Sequence, residues 1–223
     1  MLNEKILDFC SLRKLPNFQK AALVLLLIIT ALPFINLLAE LNSRLILPHF
    51  MAGIETWMKQ SEASAAKITE AFLNVSGKRN LLYNIVLMAL IPAIGEELLF
   101  RGLLLRQFNF WLKNMHWAII VTAILFSALH MQFYGFIPRM LLGVLFGYLV
   151  WWSGSLWTSM LAHFINNLMA VIFYYLYSKQ LIGKSVDTFG ATSATYIWAA
   201  LSAVVVTVII YLIYKQRISL SKE

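Results

Sequence analysis

The chain has 223 residues, of which 61% are hydrophobic and only 13% charged, with a mean hydropathy of +0.75. A soluble domain is about 45–50% apolar and about 25% charged, so a water-soluble fold could not cover this much apolar surface with so few charges. The formal net charge of +8 does not point to nucleic acid in such a chain; it reads as loops held against anionic lipid headgroups.

The charges are bunched, and the stretches between them set the elements. Asp, Glu, Lys and Arg are missing from Ala21 to Ala39, Asn80 to Gly95, Asn114 to Pro138, Met140 to Ser178 and Thr188 to Tyr214. A helix needs about 20 apolar residues to cross a bilayer core. The chain therefore reads as an all-α, polytopic transmembrane bundle, one membrane domain over 1–223. The first span is predicted at about Lys20–Leu41, with Pro33 tolerated if neighbouring groups satisfy the freed carbonyl. Charges continue up to Lys20, which argues against a cleaved signal. Residues 42–79 form the one long polar section. Within it, Ala52–Leu73 has the periodicity of an interfacial amphipathic helix.

The second span begins near Asn80, passes through Ile94-Gly95-Glu96-Glu97 and continues beyond Arg101 as an amphipathic stretch to Lys113. The third is predicted at about His116–Gln132 and the fourth at about Phe136–Trp152, joined by the short turn Phe133-Tyr134-Gly135. Arg139 lies close enough to that turn to snorkel to the interface. After Ser153-Gly154-Ser155 comes a fifth span, about Leu156–Tyr177, and the last is Tyr196–Tyr214. About six crossings put both termini on one side. That side carries Lys5, Arg13, Lys14, Lys20, Arg101, Arg106, Lys113, Lys215, Arg217 and Lys222, so the positive-inside rule favours a cytoplasmic membrane with both termini inside. Cys10, the single cysteine, offers neither an internal disulfide nor a metal site.

Ionisable groups within a span cost about 2.5–3.5 kcal/mol each and so default to function or pairing. Here they are Glu96, Glu97, Arg101, His130 and His163, accompanied by the amides of Asn166 and Asn167. Glu97 and Arg101 stand four apart on one helix, the orientation that favours an ion pair. Glu96 projects about 100° away and has no local partner, which suits a proton-transferring group. A lone histidine in an apolar helix is usually a packing residue. Two on separate spans, with an unpaired Glu and an Asn on the face of His163, argue for a joint site. His49 beside Pro48 and His116 beside Trp117 read as interfacial.

Depth arithmetic puts Glu96 roughly 24 Å from a span start at Asn80 and His130 roughly 20 Å from one at Trp117. Running in opposite directions across a core of about 30 Å, the two would miss by roughly 14 Å. They meet if the second span starts deeper, near Ile85, and runs beyond Arg101. That would bury the Glu97–Arg101 pair.

EELLFR at 96–101 fits EExxxR, Phe126–His130 fits FxxxH and His163–Asn167 fits HxxxN, in that order on three spans. Over about 80–177 the chain thereby resembles the CPBP intramembrane proteases, the family of the Ras-converting CAAX prenyl protease and of bacteriocin-processing and self-immunity proteins. The resemblance implies an endopeptidase that hydrolyses a peptide bond near the terminus of a membrane-associated peptide or protein. It implies that Glu96 and His130 activate a water, that His163 and Asn167 stabilise the oxyanion, and that Glu97, Arg101 and Phe126 support the site. A water activated in this way needs no cofactor. The alternative is a zinc enzyme with Glu96, His130 and His163 as ligands, although a compact HExxH helix is missing and Asn is a poor zinc ligand. Two non-enzymatic readings stand beside these: a self-immunity protein that binds a toxin, and a small transporter using the cluster as a relay. Transporters often carry internal repeats, and none is visible here.

Overall fold

In a computed structural model, which describes residues 8–73 and 78–220, every charge-free run carries a long helix and the described residues contain no strand. Lys5 and Lys222, counted above in the charge balance, lie outside those residues. The helices are α1 (Phe18–Ser43), α2 (Ala52–Leu73), α3 (78–112), α4 (Met115–Leu129), α5 (Phe136–Ser153), α6 (Leu156–Ser178) and α7 (Tyr196–Leu220). Five of them are long and apolar enough to cross a membrane, and α4 is a shorter apolar helix. The amphipathic segment forms α2 with its predicted bounds.

The bundle turns apolar side chains outward. Leu25, Leu26 and Ile29 on α1 and Val204, Val208 and Leu212 on α7 are all exposed, a surface that would drive association in water and that lipid covers in a bilayer. The protein is an integral membrane protein. Its centre is built from Leu27 and Ile28 of α1, Phe146 and Leu149 of α5, Ala162 of α6 and Ile209 of α7. A second cluster, Leu105, Ala118 and Ile119, ties α3 to α4. Helices α4 and α5 approach closely because α5 carries glycine there: a Cβ on Gly147 would lie 2.9 Å from Ile119 Cγ2, and one on Gly143 would lie 3.1 Å from Ala123 Cβ.

Helix α3 is not a uniform α-helix. Its α-helical parts Lys78–Asn84, Ile91–Glu97 and Leu105–Leu112 are joined by π-helical Ile85–Leu90 and Leu98–Leu104. π turns are rare and recur at functional sites. Here they flank the segment that carries Glu96 and Glu97.

Two turns set the level of the polar residues. Lys113, left-handed at φ 50, closes α3, and the Asn114 side chain accepts from the N–H groups of His116 and Trp117 to start α4. Counted from this hairpin at 1.5 Å per residue, Glu96 lies about 25 Å along α3 and His130 about 24 Å along α4. The levels coincide. The mismatch of roughly 14 Å expected from sequence arose from measuring Glu96 from Asn80, as though the span began there. The helix Asn80–Leu112 has 33 residues, about 50 Å against a core of about 30 Å. A helix of that length extends beyond the core at one end or both.

The second turn, at 130–135, reverses the chain through Met131 at φ 55. Asn42, buried at the end of α1, donates from Nδ2 to the Phe133 carbonyl at 2.9 Å and accepts from the Ile137 N–H at 2.7 Å. Ser127 donates to the Phe136 carbonyl at 2.7 Å. Helix α2 rests on the same turn: Trp57 packs on Phe133 with ring centroids 5.0 Å apart, and Glu62 accepts from the Tyr134 N–H at 3.4 Å.

Candidate active site

The adjacent carboxylates of Glu96 and Glu97 leave α3 towards different partners. Glu97 is fully buried and Arg101 is 1% exposed. Glu97 Oε1 accepts from Arg101 Nη1 at 2.6 Å, and Arg101 Nη2 donates to the Gly143 carbonyl at 2.9 Å. The guanidinium lies 4.6 Å from the centroid of Phe126 and 5.4 Å from that of Phe146. A buried pair holds only when further hydrogen bonds and close packing offset its desolvation. This one has both.

His163 projects from α6 onto the same carboxylate, with Nδ1 3.0 Å from Glu97 Oε1. Its ring stacks on Phe146 at 5.3 Å and meets the edge of Phe126 at 5.7 Å. His130, at the end of α4, has Nδ1 2.7 Å from the Phe126 carbonyl. A carbonyl oxygen only accepts, so Nδ1 carries the hydrogen and Nε2 is the free nitrogen. The two Nε2 atoms converge on one oxygen: Glu96 Oε2 lies 3.7 Å from His130 Nε2 and 3.8 Å from His163 Nε2. That oxygen is buried and has no direct hydrogen-bond partner. Such separations exceed a direct bond and suit a bridging water.

Asn167 stands one turn beyond His163. Its Oδ1 accepts from Asn166 Nδ2 at 3.3 Å, which turns its own NH2 group away from Asn166. Glu96, His130, Asn166 and Asn167 line a cavity of about 810 Å³ with apolar walls from α1, α3 and α6. His130, His163, Asn166 and Asn167 line an adjoining cavity of about 230 Å³.

The structure thus brings Glu96, His130, His163 and Asn167 together, with Glu97, Arg101 and Phe126 packed behind them. His116 stands apart near the α3–α4 hairpin, its Nδ1 2.7 Å from the Tyr148 hydroxyl. His49 lies in a short 3-10 turn before α2. Two features escaped the sequence reading. One is the contact of His163 with Glu97, which needs a fold to be seen. The other is Arg139: its guanidinium reaches back to Gln132 of the turn, and the residue also lines both cavities. Its place in a charge-free region was the available signal. Among the described residues, no three His, Cys, Asp or Glu side chains form a group that could hold a metal ion.

Residues 78–169 match the family model described as type II CAAX prenyl endopeptidase Rce1-like. The match covers less than half of the chain, so it marks what this region is similar to. All three motifs of the site fall inside the matched region, which runs from the start of α3 to the middle of α6. The uncharacterized protein YpbD of Bacillus subtilis (strain 168) is 31% identical over 86 residues, 37% of this chain. The match spans 41% of that relative's own length. No solved structure matches.

Proposed function

We propose that the protein is an intramembrane endopeptidase that cuts a peptide bond near the terminus of a membrane-associated substrate, without a metal. The observation that carries this reading is the approach of Glu96 Oε2 to His130 Nε2, 3.7 Å, and to His163 Nε2, 3.8 Å, at the wall of a cavity of about 810 Å³. A water bonded to Glu96 and His130 gives a proton to the Glu96 carboxylate as its oxygen attacks the substrate carbonyl carbon. The carbonyl electron pair moves onto oxygen. Asn167 Nδ2 donates to that oxyanion, as does His163 Nε2 when both ring nitrogens carry hydrogen. Glu97 orients His163 through Nδ1. On collapse the C–N bond breaks, and the proton held by Glu96 passes to the leaving amine.

The Rce1-like match supports a CAAX-type peptide as substrate. The basic residues Lys14, Lys20, Arg106, Lys113 and Lys215 near one end of the bundle support cytoplasmic termini. The test uses protein reconstituted in liposomes with a lipid-anchored, internally quenched CAAX-type peptide. Wild type cuts it; Glu96→Gln does not, and melts near the wild-type temperature. Cleavage by Glu96→Gln at the wild-type rate removes Glu96 as the base. Toxin immunity that survives Glu96→Gln, with no cleavage by either form, favours the self-immunity reading.

A further inference from the structure

Arg139 is a cation in the first turn of α5, where the helix dipole opposes it and where an ionisable side chain is costly to keep. Its bonded partners are neutral. Nη1 donates to the Gln132 carbonyl at 3.2 Å and Nη2 to Gln132 Oε1 at 2.6 Å. Glu62 of α2 and Glu96 across the cavity lie in its field, yet neither is hydrogen-bonded to it. Those two bonds use two of its five N–H donors and leave three. A Cβ on Gly135 would stand 3.3 Å from Nη2, so the glycine gives the guanidinium room to lie back over the turn.

The fork is therefore pinned in place, charged and only partly used, and it lines both cavities of the site. In the smaller one, about 230 Å³, it shares the wall with His130, His163, Asn166 and Asn167, beside the apolar Pro138, Leu142 and Phe146. Planar guanidinium and planar carboxylate match in bidentate geometry. We infer that Arg139 is a specificity-determining residue that binds a carboxylate of the substrate beside the scissile bond. This rests on the peptidase reading above. The carboxylate belongs either to the chain terminus or to an acidic side chain, and the experiment separates the two.

Three lipid-anchored peptides of one sequence are compared: one ending in a free carboxylate, one amidated, and one amidated with Asp as its last residue. Wild type cuts the free-carboxylate peptide about 10- to 100-fold better than the amidated one, mainly through KM. Arg139→Gln brings that ratio close to one. Arg139→Lys, which keeps the charge without the fork, retains part of it. Recovery with the Asp peptide assigns the contact to any nearby carboxylate; no recovery assigns it to the terminus. A wild-type ratio near one, or a ratio that survives Arg139→Gln, overturns the inference. Should Arg139→Gln fail to fold, Gln132→Ala, which frees the fork, lowers the same ratio.

Binding of the same peptides, fluorescently labelled, to Glu96→Gln and to the Glu96→Gln/Arg139→Gln double variant keeps the two readings apart. A carboxylate preference in binding that the double variant loses, with no cleavage by wild type, upholds the Arg139 site and overturns the peptidase reading. Equal binding of the free-carboxylate and amidated peptides overturns the Arg139 site alone.

Discussion

His163 Nδ1 stands 3.0 Å from Glu97 Oε1, the same oxygen that accepts from Arg101 at 2.6 Å. The ion pair of α3 is therefore also the support of a histidine on α6. One carboxylate ties together the two helices that bear the EExxxR and HxxxN motifs. Losing it would leave a buried guanidinium uncompensated and free His163 to turn.

Breaking one partner of a buried pair typically costs about 3–5 kcal/mol. Glu97→Ala and Arg101→Ala should each lower the melting temperature in detergent and abolish cleavage together. Normal melting of both variants, with only activity lost, would show that the pair does not hold the fold.

Gly147→Ala tests the α4–α5 approach. The added methyl would meet Ile119 Cγ2 at 2.9 Å, and overpacking a tight contact costs about 1–3 kcal/mol. The expected result is a lower melting temperature, and the double variant Gly147→Ala/Ile119→Ala, which removes both Cγ atoms of Ile119, should lose less than the sum of the two single variants. An unchanged melting temperature for Gly147→Ala would mean that the helices separate freely there.

The spans were legible because a bilayer forbids scattered charges: each break at Lys113, Arg139 or Lys179 marks the end of an uncharged run or a costly exception. The α2 bounds were legible for the same physical reason, an apolar stripe at helical period. Glu96, His130, His163 and Asn167 stood out as polar groups where polarity is costly. The geometry between helices was not legible. Glu96 and His130 share a level because both are counted from the Lys113–Asn114 hairpin, and a span boundary guessed at Asn80 hides that. Nor does hydropathy report the π turns on either side of Glu97, since they alter backbone bonding without altering composition. Arg139 was legible as a side chain near the turn, but its place on the cavity walls was not, because a long side chain there can reach either way. Only the Gln132 fork decides its direction.

Asn42→Ala should loosen the turn that carries His130 and Arg139. It removes the donor to the Phe133 carbonyl and the acceptor of the Ile137 N–H, and a buried group left unpaired costs about 1–3 kcal/mol. Hydrogen exchange should rise at Phe133–Ile137 while α7 stays protected, and cleavage should fall mainly through kcat. Uniform deprotection of the whole bundle would instead make Asn42 a residue of global stability.

Metal content separates the two mechanisms open to these residues. His130 and His163 both direct Nε2 towards Glu96, and both donate Nδ1–H to an oxygen, the arrangement that also orients metal-bound histidines. A zinc site needs three such donors around an open position, so Glu96, His130 and His163 would have to close on the ion from their separations of 3.7 Å and 3.8 Å. The expected outcome is activity that survives exhaustive chelation in protein shown by elemental analysis to lack stoichiometric zinc. Near-stoichiometric zinc, with activity lost to chelator and restored by zinc, would sink the metal-free mechanism. Asn167 gives an independent check, because its Oδ1 is held by Asn166 and its NH2 is the group aimed away from that contact. As an oxyanion donor it should cost about 10²–10³ in turnover when changed to Ala, with peptide affinity and metal content both unmoved. A fall in metal content on that substitution would put Asn167 beside a metal ion instead of an oxyanion.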